Sequence, residues 1–521
     1  MKEQVNKQID KEINKQRDKE IDPQMEKEQD YKSLEEIKLK EQDKVSEEVS
    51  EEVKVGGEEP VKPRKRKKRL RPEYETEIVD TVYPGIGITY VKNRLMHAKN
   101  TFPGQVILGR HLRSKQGIAQ LTVLEKLKKA PWEVEPKCVH YSKCGGCMSQ
   151  EVPYPMQVSF KEKEVLDMIR EADLDIGNYH GIHGSEEQFH YRNKMEFTFG
   201  DEVKGGPLSL GMHMPNKRNS IITVDQCQLV SRDFNRLLVR TLDFFKGKDL
   251  PYYRILSHEG TLRNLIVREA KNTGELMAIL VAATDPLLDA KEWAEDLLKT
   301  ELDGKLTSIY HITNDSFQDA VVVDKMELIY GEPVITEILN GMKFKISPMS
   351  FFQTNPDAAE RLYQQVIDFA GDISKKEIFD LYCGTGTIGN ILAPHAKHVT
   401  GVELIEEAVE MAKENTKLNG NDNTTFIAGD VKDVIADLQK APDLIVVDPP
   451  RSGIHSKALD YLRDFKAQEI IYVSCNPKTM IQDLLKMEEY IITDFVIMDN
   501  FPNTNHVEAA ILMTYCGSEE K

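Results

Sequence analysis

The stretch Glu377-Ile-Phe-Asp-Leu-Tyr-Cys-Gly-Thr-Gly-Thr-Ile-Gly389 decides the fold. An apolar run of strand character breaks into glycines, and apolar spacing of helical type follows. Glycines at such a turn let backbone approach a ligand closely, and ligands bind at the carboxyl ends of strands in open α/β sheets. The same rhythm extends outward in both directions. Strand-like runs at 377–382, 398–403, 424–427, 443–447 and 470–474 alternate with helical stretches at 356–370, 387–396, 406–418 and 480–489. The alternation predicts an α/β domain with a parallel, doubly wound sheet over residues 344–521.

Several acids stand where a nucleotide-like cofactor needs them. Val399-Thr-Gly-Val-Glu403 is a second strand ending in a carboxylate, which at that place can hold two ribose hydroxyls. Asp430, after the next strand, could address a base edge. Gly384, Gly386 and Gly389 also satisfy the nicotinamide spacing G-x-G-x-x-G. The leading Asp380 looks more like an S-adenosylmethionine loop, and Asp448-Pro-Pro-Arg451 resembles the target-facing motif of methyltransferases.

Two groups of cysteines carry separate chemistry. Cys475 ends the apolar run Ile471-Tyr-Val-Ser-Cys-Asn-Pro477, so its thiol sits at a strand tip as a candidate nucleophile. A cysteine with apolar neighbours is more often packed in a core, and the surrounding motifs reverse that preference. Cys138-x5-Cys144-Gly-Gly-Cys147 puts three thiols on one tight loop, and Cys227 can supply a fourth. Thiolates select zinc or an iron–sulfur cluster, and spacing alone leaves both open.

The rest of the chain sets the frame. Its 521 residues allow three to four domains, and 40% are hydrophobic. No apolar run is long enough to span a membrane, and Met1-Lys-Glu-Gln-Val-Asn has no signal-peptide core. The seven cysteines fit a reducing cytoplasm. Residues 1–73 read as a charged low-complexity tail, in which Asn6-Lys-Gln-Ile-Asp-Lys-Glu-Ile13 recurs as Asn14-Lys-Gln-Arg-Asp-Lys-Glu-Ile21. An eight-residue period does not keep one helix face, so a lasting coiled-coil seam is not expected. Residues 62–71 hold eight basic side chains, which suit RNA phosphates or a solvated linker equally well. The net charge of −17 means that any RNA contact comes from local basic patches. Short strand-like runs with Gly and Pro turns at 74–132 predict a small β-barrel; in the central region at 133–343, residues 159–172 have helical periodicity and strand-like runs dominate from about 189 to 340.

Together these motifs resemble the S-adenosylmethionine-dependent RNA (uracil-5-)-methyltransferases, most of all the bacterial enzymes that make 5-methyluridine in 23S ribosomal RNA. The similarity covers about residues 74–516. It rests on the cysteine loop with Met148-Ser-Gln150, on Tyr191-Arg-Asn-Lys-Met-Glu-Phe197 and on Asp225-Gln-Cys227. Farther on it includes Phe351-Phe-Gln-Thr-Asn355, Asp380 to Gly386, Asp448 to Gly453, Ser474-Cys-Asn-Pro477 and His506-Val-Glu508. The charged tail is not part of the family's pattern.

The resemblance implies a Rossmann-like methyltransferase domain preceded by an OB-like TRAM barrel that binds RNA and by a β-rich central domain. It implies a [4Fe–4S] cluster on Cys138, Cys144, Cys147 and Cys227, and S-adenosylmethionine contacts from Gln353, Tyr382, Gly384, Glu403, Asp430 and Asp448. The helix near 155–172 is expected to pack on the catalytic domain. The protein is expected to act as a cytoplasmic monomer on RNA, with no DNA or membrane partner.

The chemistry gives each catalytic candidate a task. Uracil C5 is a poor nucleophile until a thiolate adds at C6 and turns the ring into an enolate. Cys475 fits that role, with Arg451 a candidate source of the charge that favours a thiolate. A base must then remove the C5 proton so that the thiol can leave. The resemblance places Glu508 there; without it, an exposed surface acid would be the plainer reading. The target base must be flipped or lie in a loop. Three rivals remain: a transfer RNA (uracil-5-)-methyltransferase, a cytosine-5 RNA methyltransferase, and a non-catalytic RNA-binding iron–sulfur protein. Cytosine enzymes carry Pro-Cys where this chain has Pro449-Pro450-Arg451. The transfer RNA enzymes usually lack the cysteine-rich loop.

Overall fold

The computed structural model describes residues 71–517, apart from 113, 116, 439 and 440. The charged tail and the basic run as far as Leu70 lie outside the described residues. No helix among the described residues is long and apolar enough to cross a membrane.

Six strands form the first sheet, in the order Glu73–Glu77, Val106–His111, Ala119–Lys128, Arg94–Lys99, Ile86–Val91 and Asp80–Val82. Its two outermost members are halves of one bent strand. At the bend the Ile78 amide bonds Gln105 on one side, and the Val79 amide bonds Ile88 on the other. The sheet therefore closes on itself around Ile78, Met96, Ala98, Ile107, Ala119 and Leu121. Closure removes the open edges that would otherwise invite pairing with another chain.

A seven-stranded sheet follows, covering residues 194–331. Helices Arg232–Lys246 and Ala290–Leu297 cover one face with Phe234, Leu237, Leu242, Trp293 and Leu297. The other face sends Ile266, Met277, Ile279 and Ile312 into a core shared with the catalytic domain. Strands Leu262–Ala270 and Glu275–Ala282 are consequently buried along nearly their whole length, as expected for strands covered on both sides.

The catalytic sheet has eight strands, in the order Thr424–Ala428, His398–Glu403, Glu377–Leu381, Leu444–Val447, Glu469–Ser474, Glu508–Tyr515, Tyr490–Met498 and Asn178–His183. Alternate residues face two cores. Ile378, Val446, Ile471 and Val473 enter one, and Phe379, Ile445, Ile470 and Tyr472 enter the other. The first five strands are parallel, as their periodicity predicts. Glu508–Tyr515 runs antiparallel to both neighbours, so the sheet is mixed rather than parallel throughout. The reason is chain length: only residues 499–507 join it to the preceding strand, too few for a crossover helix.

Two elements ahead of the central sheet also join this domain. Helix Tyr154–Glu171 buries Val165 and Ile169 in the catalytic core, and Asn178–His183 pairs in parallel with Tyr490–Met498. Such pairing between distant segments leaves no local periodicity. A boundary drawn at 343/344 therefore cuts through residues that share one sheet.

Candidate active site

The glycine-rich turn has the backbone its sequence demands. Tyr382, Gly384 and Gly386 adopt positive φ of 63°, 53° and 73°. A Cβ on Gly386 would lie 2.7 Å from Ala412 and 2.8 Å from Phe426, so only glycine fits there. Glu403 is fixed by two amides, accepting from Gly384 at 3.1 Å and Ile405 at 3.0 Å. Asp380 is fully buried and accepts from the Gly389 amide at 2.8 Å through Oδ2. Its Oδ1 has no partner among the described residues. Burial, then the charges of Asp448 and Glu403, push Asp380 up to about 7. Burial pushes Asp448 up to about 7 as well. Three carboxyl groups thus converge at the ends of adjacent parallel strands, around the turn.

The remaining candidates lie on separate elements. Asp430 caps helix Val431–Asp437 and pairs with Lys432 at 2.6 Å, which holds its carboxyl below the usual range. Burial raises Tyr382 to about 12. Gln353 lies in a loop clamped from the central sheet. Asn193 donates to its carbonyl at 3.1 Å, and the buried Arg268 guanidinium donates to the carbonyls of Ser347, Pro348 and Ser350.

Cys475 and Glu508 come together through sheet register. Ser474 pairs with Ala509 across the antiparallel ladder, so one step farther places Cys475 opposite Glu508. Glu508 is 2% exposed, and Cys475 is half-buried. Burial, then the charges of Glu508 and Asp448, push the Cys475 thiol up to about 11, while Arg451 pulls it back by charge and a hydrogen bond. Burial and Asp448 push Glu508 well above the carboxylate range. Arg451 is held over the thiol by its own carbonyl, which accepts from Asn476 at 2.8 Å and Thr479 at 3.3 Å. His506 is half-buried beside Arg451, Lys161 and Arg192 and falls to about 4, so it is neutral.

Two features were absent from the sequence reading. Tyr83, in the turn after Asp80–Val82 of the first sheet, packs against the core of the catalytic domain, near enough to Cys475 and Glu508 for their charges to raise its hydroxyl. Nothing in its local sequence marks it, because its proximity depends on how the first sheet docks. The loop 499–507, which delivers Glu508, is tied to five separate segments. Lys161 pairs with Asp499 at 2.7 Å, and Gln157 accepts from the Asn503 amide at 2.9 Å. Tyr191 donates to the Pro502 carbonyl at 2.9 Å, Asn355 to that of Asn500 at 2.8 Å, and Asn505 to that of Pro84 at 3.0 Å. The Met148 amide donates to the Asn503 carbonyl.

Cys138, Cys144, Cys147 and Cys227 line one cavity with Tyr141, Met195, Met212 and Leu229. Burial raises Cys144 to about 11 and Cys147 to about 12, and it raises Cys227 too. Donors nonetheless aim at the sulfurs: Gly146 at 3.3 Å from Cys144, and Gln150 at 3.2 Å from Cys147. No group of three or more His, Cys, Asp or Glu among the described residues is arranged to hold a single metal ion. A larger cavity of about 460 Å³ lies in the central sheet around Tyr252, Tyr253 and Arg263, and none of the candidate residues lines it.

The α/β sheet, the glycine turn with its converging acids and the adjacent thiol define an RNA methyltransferase built on the S-adenosylmethionine-binding fold. Relatives support that class along most of the chain. An uncharacterized RNA methyltransferase of Clostridium tetani is 46% identical over 441 residues, covering 84% of this chain and 97% of that one. One from Porphyromonas gingivalis is 33% identical, covering 84% and 99%. The family model for tRNA (uracil-5-)-methyltransferase matches residues 154–515, and the chain belongs to that family. Among solved structures, the Pyrococcus abyssi tRNA (uracil-54, C5)-methyltransferase in complex with S-adenosyl-L-homocysteine superposes with a TM-score of 0.68 at 27% identity. That match covers 84% of this chain and all of the other.

Proposed function

We propose that the protein methylates C5 of a uridine in RNA, with 23S ribosomal RNA as the substrate, through a covalent bond between Cys475 and uracil C6. The observation that carries this reading is the register that sets Cys475 beside Glu508, with Arg451 against the thiol. S-Adenosylmethionine, when bound, supplies an electrophilic methyl group. Glu403, with Tyr382 and Gly384 of the glycine turn, would hold its nucleoside, Asp430 would address its base edge, and Gln353 and Asp448 would complete the site. The Cys475 proton passes to solvent water, the Arg451 cation stabilises the thiolate left behind, and the thiolate adds to C6. The electron pair displaced from the C5–C6 bond makes C5 nucleophilic. Once C5 carries the methyl group, Glu508 takes the C5 proton, the ring double bond re-forms and the thiolate leaves.

The raised pKa values fit this division of labour. A thiol near 11 is mostly protonated in the resting site, so it is activated only when Arg451 and substrate act together. A buried carboxylate such as Glu508 is basic enough to accept a carbon-bound proton.

The four clustered thiols fit a [4Fe–4S] cluster. What supports that reading is a single cavity lined by four soft ligands, with N–H donors directed at two of the sulfurs. The cluster's part would be structural, tying Cys227 of the central domain to the 138–147 loop. The closed sheet at 73–128 is read as a TRAM barrel that engages RNA.

A transfer RNA substrate is the second reading, favoured by full-length similarity to the Pyrococcus abyssi tRNA enzyme. Mapping 5-methyluridine in 23S and transfer RNA from cells with and without the gene tests the assignment. Loss of one 23S site is expected; loss from transfer RNA alone overturns the ribosomal assignment. RNA containing 5-fluorouridine should trap the enzyme covalently, because fluorine cannot leave as a proton. Wild type that never traps, or Cys475→Ala that still does, removes Cys475 from its role.

A further inference from the structure

The turn Tyr83-Pro84-Gly85 belongs to the closed N-terminal sheet, yet it is pinned to the catalytic domain at three points. The Gly85 amide donates to Glu164 Oε2 of helix Tyr154–Glu171 at 2.9 Å. Asn505 Nδ2 donates to the Pro84 carbonyl at 3.0 Å. Gly85 lies so close to Asn505 that an added Cβ would stand 2.5 Å from its side chain, and its φ of 62° disfavours any other residue. Asn505 in turn lies three residues ahead of Glu508.

This docking aims Tyr83 into the site. Its ring packs, half-buried, against the core of the catalytic domain. Its hydroxyl is close enough to Cys475, Glu508 and Arg451 to feel all three charges, and burial with the two negative groups raises it to about 12. The hydroxyl therefore stays protonated and remains a donor. A half-buried hydroxyl held beside a nucleophile and a base is placed to meet something that enters the site.

We propose that Tyr83 is a catalytic residue supplied by the N-terminal sheet, whose hydroxyl donates a hydrogen bond to uracil O4. This inference rests on the uridine reading of the site. When the Cys475 thiolate adds to C6, the electron pair of the C5–C6 bond moves towards C4, and the negative charge settles on O4. A fixed donor there stabilises the enolate more than the neutral ring, which accelerates addition. A consequence is that the domain holding RNA and the domain doing chemistry share one active site, so the nucleophile is fully assisted only when the N-terminal sheet is docked.

The test compares wild type with Tyr83→Phe, which keeps the ring and its packing and removes only the hydroxyl. The measurement is the single-turnover rate of covalent adduct formation with 5-fluorouridine RNA, alongside RNA affinity and thermal unfolding. Removing one donor from a developing oxyanion lowers a rate by about a hundredfold or more. The expected result is a loss of that order in adduct rate, with RNA affinity and unfolding temperature unchanged. Tyr83→Phe trapping at the wild-type rate overturns the inference while leaving the function proposed above intact. A loss that follows RNA affinity or unfolding temperature also overturns it, because Tyr83 would then only hold the sheet in place. Wild type that fails to trap overturns both.

Discussion

The Met148 amide donates to the Asn503 carbonyl at 2.9 Å, joining the cysteine loop to the segment that carries Glu508. Cys147 is the residue before Met148, and Asn503 lies five residues ahead of Glu508. Order in the cysteine loop therefore reaches the candidate base through two backbone contacts, because the Ser149 amide donates to the same carbonyl at 3.4 Å. Gln157 reinforces it, bonding Ser149 on one side and Asn503 on the other. The four thiols stand apart from Cys475 in sequence, but not in mechanical terms.

If the four thiols hold the proposed [4Fe–4S] cluster, removing it should impair turnover without any redox step. Cys147→Ser is expected to lose iron and sulfide, to unfold at lower temperature and to fall about tenfold or more in kcat, with a smaller change in RNA affinity. Iron analysis, thermal unfolding and steady-state kinetics check this. One-electron reduction of the wild type should leave methylation unchanged; loss of activity with fold and RNA binding intact would show that the cluster takes part in turnover.

Glu508→Gln should separate the two halves of the reaction. Addition of the thiol and methyl transfer do not need the carboxylate, whereas loss of the C5 proton does. The variant is expected to form a stable covalent adduct with ordinary uridine RNA and to turn over about 10²–10⁴-fold more slowly. A shifted band on a denaturing gel reports the adduct. Slow turnover without any accumulated adduct would place Glu508 before thiol addition instead.

The charges around Cys475 predict the sign of two pKa changes. Glu508 raises the thiol and Arg451 lowers it. Glu508→Gln should therefore move the midpoint of iodoacetamide alkylation at Cys475 to lower pH, and Arg451→Ala should move it to higher pH. Mass spectrometry of the alkylated peptide across a pH series measures both. Equal midpoints in all three proteins would mean that burial and Asp448 set the thiol, with no part for Glu508 or Arg451.

Asp448 carries a cost that the ligand-free fold must bear. Its folded-state pKa is raised by burial, from an ordinary value near 4 to about 7. A raised carboxyl is protonated more tightly in the folded state. Its contribution is thus fully present below pH about 4 and is lost as pH rises through about 7, at about 1.4 kcal/mol per pH unit. Asp448→Asn should unfold less steeply with rising pH between those limits and be the more stable protein at pH 8, while losing activity. Thermal unfolding over that pH range checks the slope; identical slopes would move the cost to Asp380 or Glu508.

How much of this was legible in the sequence divides along physical lines. The five parallel strands and the glycine turn were readable because periodicity and turn chemistry are local. Cys475 and Glu508 were recognisable from their motifs, but their adjacency required the antiparallel return of Glu508–Tyr515, which periodicity does not signal. Asn178–His183 was not assigned to the catalytic sheet, since its partner lies over 300 residues away. Tyr83 gave no local signal, because a tyrosine in a Gly-Pro turn of a barrel is ordinary until the docking of Gly85 on Asn505 points it at a thiol. Lys161 and Asp499 were missed for the same reason.

That last pair anchors the Glu508 loop and yields a stability prediction. Lys161 and Asp499 are both buried and pair at 2.7 Å, and Lys161 also donates to the Phe501 carbonyl at 3.1 Å. Burial lowers the lysine's pKa against the pull of Asp499, so the ion pair is held together by geometry rather than by a favourable medium. Lys161→Met leaves a carboxylate buried without its cation and should destabilise the protein by about 3–5 kcal/mol. Adding Asp499→Asn removes that stranded charge while keeping the side chain's shape, and should recover much of the loss. Denaturant unfolding of the two single variants and the double variant measures the coupling. If the double variant is no more stable than Lys161→Met, the lysine stabilises the loop through Phe501 and its packed stem rather than through charge. Turnover distinguishes the two roles further, because restoring stability without restoring the Phe501 contact should leave the Glu508 loop loose and kcat low.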